Sequence, residues 1–456
     1  MRLKAPFFGI LLALAGFLLP SIVFVAVLPS LINAEPVKKR LIDELRSWTG
    51  SDIHIAGPVS IDNFFSLTVN LRNVEFKGFE GVAKFKSLKA GEIVARIAWT
   101  NLLIGRFDFD KIKIYDATAH LGRISEGELV GALQKTLIGP HKVPFSAFVI
   151  DDCIVKAETD GGAERTLMQV RKTVAEYRPS DGRISLSGLL TWRDEPVFVD
   201  ALTFAAPAGG PAESMPLQLD INGRLLTANF KGEANFIGSW AASGALKAKT
   251  PDTLALATWL GIEDGPALPL RGEITGALEL TGDSIGLQSA AIALDGQQAY
   301  GDLILARAAK APKIEGSLAF ESLDLRRLWG LASGPAPSSA NEQAFWTGLL
   351  RRAALDLRLS AAEMRWDGLT MKDAALTVSG NSGLLAADLA DLALFGGSII
   401  GHIQLDLRAE PAKLRVRITG DNLEAAELLA AGAKGDWLYG KADVNMEGEA
   451  AGSTAE

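Results

Sequence analysis

From Ile53 onward, apolar side chains return at every second residue. Leu67-Thr68-Val69-Asn70-Leu71 alternates strictly, and the same spacing recurs at Ile184/Leu186, Leu217/Leu219/Ile221, Ile274/Leu278/Leu280 and Ile292/Leu294. It returns at Leu355/Leu357/Leu359, Ile403/Leu405/Leu407 and Leu414/Val416/Ile418. Period two is the signature of a β-strand with one wet and one dry face. Charges fill the alternate positions, as in Leu355-Asp356-Leu357-Arg358-Leu359. The pattern predicts half-buried antiparallel strands.

In two places the phase slips by one. Val69 and Leu71 give way, across Arg72-Asn73, to Val74 and Phe76. Phe107 and Phe109 give way, across Asp110-Lys111, to Ile112 and Ile114. An extra residue in a strand is a β-bulge, which bends and twists it. Both slips predict long, bulged strands in a curved sheet. Gly or Asp-Gly closes a strand every ten to fifteen residues or so, a loose repeat of stacked strands.

Helical signals are few. Pro36–Trp48 places Val37, Leu41 and Leu45 on one stripe beside Trp48, a short helix lying on the membrane or covering the first strands. Glu126–Leu137, Asp252–Leu260, Glu342–Arg352 and Leu423–Ala431 are the other expected helices. Ala205–Pro216 and Leu331–Ala340 are rich in small residues, Pro and Gly and read as breaks, the second as the domain boundary.

The N-terminus is of another kind. Pro6–Ile32 is an uncharged, almost wholly apolar run. A spanning helix needs roughly 20 such residues. A cleavable signal has an apolar core of about 7–15, and Ile32-Asn33-Ala34 is a poor cleavage site, so an uncleaved anchor is expected. Pro6, Phe7, Leu18, Phe24, Leu28 and Ile32 mark its length. The short N-terminal tail is the easier side to keep in the cytoplasm, which leaves the body outside it. The expected division is an anchor over 1–35, a helix with bulged strands over 36–120, a central β region over 121–330 and a C-terminal β region over 341–456.

Charge and chemistry exclude several classes. Residues 1–120 hold 15 Lys and Arg against 11 Asp and Glu, a mild basic excess that suits anionic headgroups. The remainder holds 31 against 43 and lacks the basic face that nucleic acid needs. With Cys153 alone and four scattered histidines, no disulfide framework and no metal-ligand spacing is present. Gly282-Asp283-Ser284-Ile285-Gly286 matches a nucleophile elbow, but a strand rather than a helix is expected after it, so it reads as a turn. Asp151 and Asp152 are neighbours on one strand and point to opposite faces. No catalytic residue, metal or cofactor is expected.

The order of these features resembles the AsmA family of bacterial envelope proteins. The likeness runs from the anchor and short helix through Leu45–Gly57 (LRSWTGSDIHIAG), Leu67–Phe76 and Trp99–Ile114 (WTNLLIGRFDFDKIKI). It continues in Phe148–Val155, Ser187–Pro196, Ala353–Gly401 and Ala409–Leu429. A common G-x-x-N-W stretch of the family is replaced by Gly122–Leu137, and members usually continue past the point matching Glu449–Ser453. The resemblance implies an inner-membrane anchor, a periplasmic body and the start of a chorein-type, bridge-like lipid transfer fold. In such a fold a curved, taco-like sheet holds acyl chains on an apolar floor. Leu67, Val69, Leu71, Val74, Phe76, Phe107, Phe109, Ile112 and Ile114 are then the groove candidates. The implied function is phospholipid transport between inner and outer membrane. The alternative is a regulatory or structural role in outer-membrane protein assembly, with no lipid cargo.

Overall fold

The computed structural model describes residues 39, 42, 43, 45, 46, 50–62, 67–78, 85–97, 109–122, 145–158, 163–178, 180–204, 214–235, 241–261, 270–307, 312–324, 354–366, 369–433 and 438–452. The apolar N-terminal run and the expected helices at 126–137 and 342–352 lie outside them. So do the Leu331–Ala340 stretch, Phe107 and the six anchor positions. Among the described residues no helix is long and apolar enough to cross a membrane. The chain forms two compact units, Met1–Pro211 and Ala212–Glu456, which divide within the Ala205–Pro216 stretch.

The first unit contains strands β1 (Asp52–Ile55), β2 (Val59–Asp62), β3 (Leu67–Lys77), β4 (Phe85–Ile97), β5 (Phe109–Leu121), β6 (Phe145–Glu158), β7 (Glu164–Arg178), β8 (Arg183–Trp192) and β9 (Glu195–Phe204). β1 and β2 pair with successive halves of β3, and β3 to β9 follow in chain order. All pairs are antiparallel except β5–β6.

The bulge expected near Asp110 is present. Lys111 faces Arg96, Phe109 faces Ile97, and Asp110 is the extra residue. The slip at Asn73 has a different origin. β3 and β4 stay in register through it, Arg72 facing Glu92 and Val74 facing Ala90. Asn73 instead adopts φ 51°, a left-handed conformation that Asn tolerates better than most residues. Both strands thus change phase together, and no residue is inserted. Asp116 (φ 49°) and Lys172 (φ 45°) take similar conformations in β5 and β7.

The second unit contains β10 (Met215–Gly223), β11 (Thr227–Asn235), β12 (Ala241–Thr250), helix α1 (Thr253–Leu260), β13 (Gly272–Leu280), β14 (Ser284–Leu294), β15 (Gln297–Arg307) and β16 (Pro312–Asp324). It continues with β17 (Ala354–Trp366), β18 (Leu369–Asn381), β19 (Leu384–Leu394), β20 (Gly397–Asp406), β21 (Ala412–Glu424), helix α2 (Ala425–Ala433) and β22 (Lys441–Gly452). Successive strands are neighbours. The pairs are antiparallel apart from β16–β17. The bulges in β14, β18, β19 and β21 bend this open sheet.

The two parallel steps correct the expectation of a purely antiparallel sheet. A parallel step needs a crossover of about a dozen residues or more. The long connections 122–144 and 325–353 occur at those two steps. The ends of α1 follow local rules. Asp252 caps α1 through a 2.9 Å bond from the Ala255 amide, and Gly261 ends it at φ 78°.

Candidate functional site

Alternation gives each strand of the second unit an apolar side, and register decides whether those sides meet. They do. One row begins Met215, Ala234, Ala242, Leu280, Ile285 and Leu305, each facing the next across a strand pair. It continues through Ile314, Leu355, Gly380, Leu385, Leu405, Leu414 and Ala450. From β10 to β22 no polar side chain interrupts it.

The adjacent row is equally clean. Leu217, Gly232, Gly244, Leu278, Leu287 and Leu303 lead to Gly316, Leu357, Val378, Ala387, Ile403, Val416 and Gly448. At about 4.8 Å per strand, each row runs for roughly 60 Å. Glycines lie where strands leave no room: a Cβ on Gly316 would stand 2.3 Å from the Asp302 carbonyl oxygen.

Much of this face is uncovered. Ile285 is 44% exposed, Leu305 42%, Ile403 42%, Leu414 37% and Met446 51%. Met215 and Ala234, at the start of the first row, are buried, and the rows across β16 to β19 are half-buried. Large aliphatic side chains left open on an apolar face, as in β14–β15 and β20–β22, mark a surface built to meet something apolar. Toward the far end of the strands the same face closes. Leu323, Ala361, Met371, Ala374 and Leu392 are buried together there, with Phe320, Met364 and Trp366 packed against them.

The opposite face is polar and cross-linked by charge. Lys249 bonds Glu273 at 2.8 Å, which holds that carboxyl below its usual range. Arg415 pairs with Glu449 at 2.6 Å, Arg417 with Glu447 at 2.8 Å, and His402 with Asp388 at 2.5 Å. In the turn after β20, the Arg408 side chain, through its hydrogen bond, lowers the Asp406 carboxyl to about 2. Exposed pairs of this kind add little stability. They keep that face wet and fix which side of the sheet is dry.

The residues singled out from sequence lie in the first unit. Val69, Leu71, Val74, Phe76, Ile112 and Ile114 do share one face, and they form a single cluster with Leu45, Ile93, Cys153 and Val170. That cluster is closed: Val69 and Leu71 are 0% exposed, Val74 and Ile112 1%. Leu45 and Ile42 come from the expected short helix, whose described residues therefore cover the first strands. Leu67 and Phe109 lie in β3 and β5, and their side chains lie outside the described residues. In this conformation an acyl chain reaches the cluster only by displacing core packing.

The open rows of the second unit were not among the site candidates, although their alternation is visible in the sequence. The missing signal was register. Cys153 is buried, and burial, followed by the neighbouring Asp152 charge, pushes its thiol up to about 11. Gly282 and Asp283 form the turn between β13 and β14, where the Thr281 and Ser284 hydroxyls bond each other at 2.8 Å. His402 stands in β20, bonded to Asp388. Among the described residues no cluster of side chains is arranged to hold a metal ion.

The model of the AsmA family matches residues 237–456. The matched stretch holds β12 to β22 and so most of both open rows. No curated protein and no solved structure matches the chain.

Proposed function

We propose that this chain, whose residues 237–456 match the AsmA family, is a membrane-anchored envelope protein of that family that binds phospholipid on the open apolar face of its second unit. It supports lipid transport between the inner and outer membranes. The apolar run Pro6–Ile32 is its anchor in the inner membrane, with the body in the periplasm. The continuous apolar rows from β10 to β22, exposed at Ile285, Leu305, Ile403 and Leu414, carry this reading.

The physical task is to keep acyl chains out of water. Exposure costs roughly 0.8 kcal/mol per CH₂, so a free two-chain lipid faces a barrier above about 20 kcal/mol. An apolar face about 60 Å across lowers that barrier at each step. No bond is made or broken, and no catalytic group is required.

The test is phospholipid recovery from the full chain purified in detergent. Ile285→Glu, Leu305→Glu and Ile403→Glu each place a charge on the open rows. They sit at exposed positions, so the fold tolerates them. Ile304→Glu and Ile400→Glu are matched controls: 41% and 48% exposed, but on the polar face. The first set should lower recovery about tenfold, equivalent to about 1.4 kcal/mol, and the controls should leave it unchanged. Equal losses from both sets, or a wild-type chain that carries no phospholipid, would overturn the reading and favour a contact role in outer-membrane protein assembly.

A further inference from the structure

The apolar face differs at its two ends. At the level of the β13–β14 and β20–β21 turns it is open, with Ile285, Leu305 and Leu414 in view, and at the β18–β19 turn between them it is half-buried. At the other end of the strands, across β16 to β19, it closes over Leu323, Ala361, Met371 and Leu392. In β17 the distance from half-buried Leu355 to buried Ala361 is six residues, roughly 20 Å at strand rise. A bilayer leaflet is half of a hydrocarbon core of roughly 30 Å, so one acyl chain fits this length.

Charge differs between the same ends. At the closed end stand Asp295, Asp324, Asp373, Asp391, Asp421 and Asp443. They outnumber the cations there, of which Arg365 pairs with Glu363 and Lys441 with Glu424. At the open end Lys313, Arg408 and Lys413 stand among Asp283, Asp406 and Glu410, with neither sign in excess. A phosphodiester meets an excess of like charge at the closed end and a charge-balanced rim at the open one.

We infer that phospholipid lies along the strands of the second unit in one direction. Its phosphate sits at the rim of turns 281–283, 382–383 and 407–411, and its acyl ends lie against the packed cluster of β16 to β19. This orientation rests on the lipid-binding reading above and adds a polarity to it. The lipid then enters and leaves through the open rim.

The test uses the full wild-type chain in detergent and two photoreactive phosphatidylcholines. One carries a diazirine at the end of an acyl chain, the other in the headgroup, and cross-linked peptides are mapped by mass spectrometry. The acyl probe should label 318–324, 361–366 and 389–399, and the headgroup probe 281–285, 381–384 and 407–413. The ratio of acyl to headgroup labelling should differ between the two ends by about tenfold, as an orientation preference of about 1.4 kcal/mol gives. Specific labelling of the apolar face with the same ratio at both ends, or with the ends reversed, overturns the orientation and leaves lipid binding standing. Labelling by neither probe on that face overturns both.

Discussion

Cys153 shows how one environment sets one side chain's chemistry. It packs in the closed cluster of the first unit, beside Ala117 and Val170 in register. Its folded-state thiol titrates near 11, above the unfolded value of roughly 8.5. The folded chain therefore binds this proton more tightly. Its contribution to stability is present below about pH 8.5 and is lost as pH rises toward 11. Urea midpoints for wild type and Cys153→Ala should converge over that range. A thiol reagent at pH 8 should modify the native chain at least tenfold more slowly than the urea-unfolded one, since the thiolate is the reactive form. Equal rates would mean that the first unit's core is open to solvent.

At the scale of elements, the strands were largely legible and their joints were not. Alternation placed β3, β10, β17, β20 and β21 close to where they form. The Asp252 start and the run after Asp421-Asn422 located α1 and α2. The Asn73 slip misled because an inserted residue and a shared left-handed kink leave the same mark on one strand. Only the pairing with β4 separates them. The parallel steps were hidden because nothing local to β5 or β16 states which way the next strand will run. α1 also tests how local rules act. It is short and apolar, with Ala257 its one buried residue, so its cap matters more than its packing. Asp252→Ala should cost about 1 kcal/mol locally. Faster hydrogen exchange at the Ala255 amide, with the strands unchanged, would show it. Unchanged exchange would mean that the cap contributes nothing.

For the molecule as a whole, the proposed activity depends on apolar area, and this separates it from charge-driven binding. Ion pairs hold the polar face, where salt screens them over a Debye length of about 10 Å at 0.1 M. The apolar rows carry no charge. Phospholipid recovery should therefore stay level, or rise slightly, as sodium chloride is raised from about 0.1 to about 1 M. A steep fall would point to headgroup electrostatics as the main source of affinity and would remove the apolar rows from their central place.

The amino-acid order settled which side of each strand is dry, because side-chain parity within a strand is local and leaves its mark every second residue. It also settled that a long apolar run precedes the β body. Tertiary structure alone decided that the dry sides of β10 to β22 align into unbroken rows, because register depends on hydrogen bonds between segments far apart in sequence. It decided too that Val69 and Leu71 are sealed while Ile285 and Ile403 are open. The same alternating pattern serves either outcome. Coverage depends on which other atoms come to lie over a face, and a strand's own sequence carries no record of that.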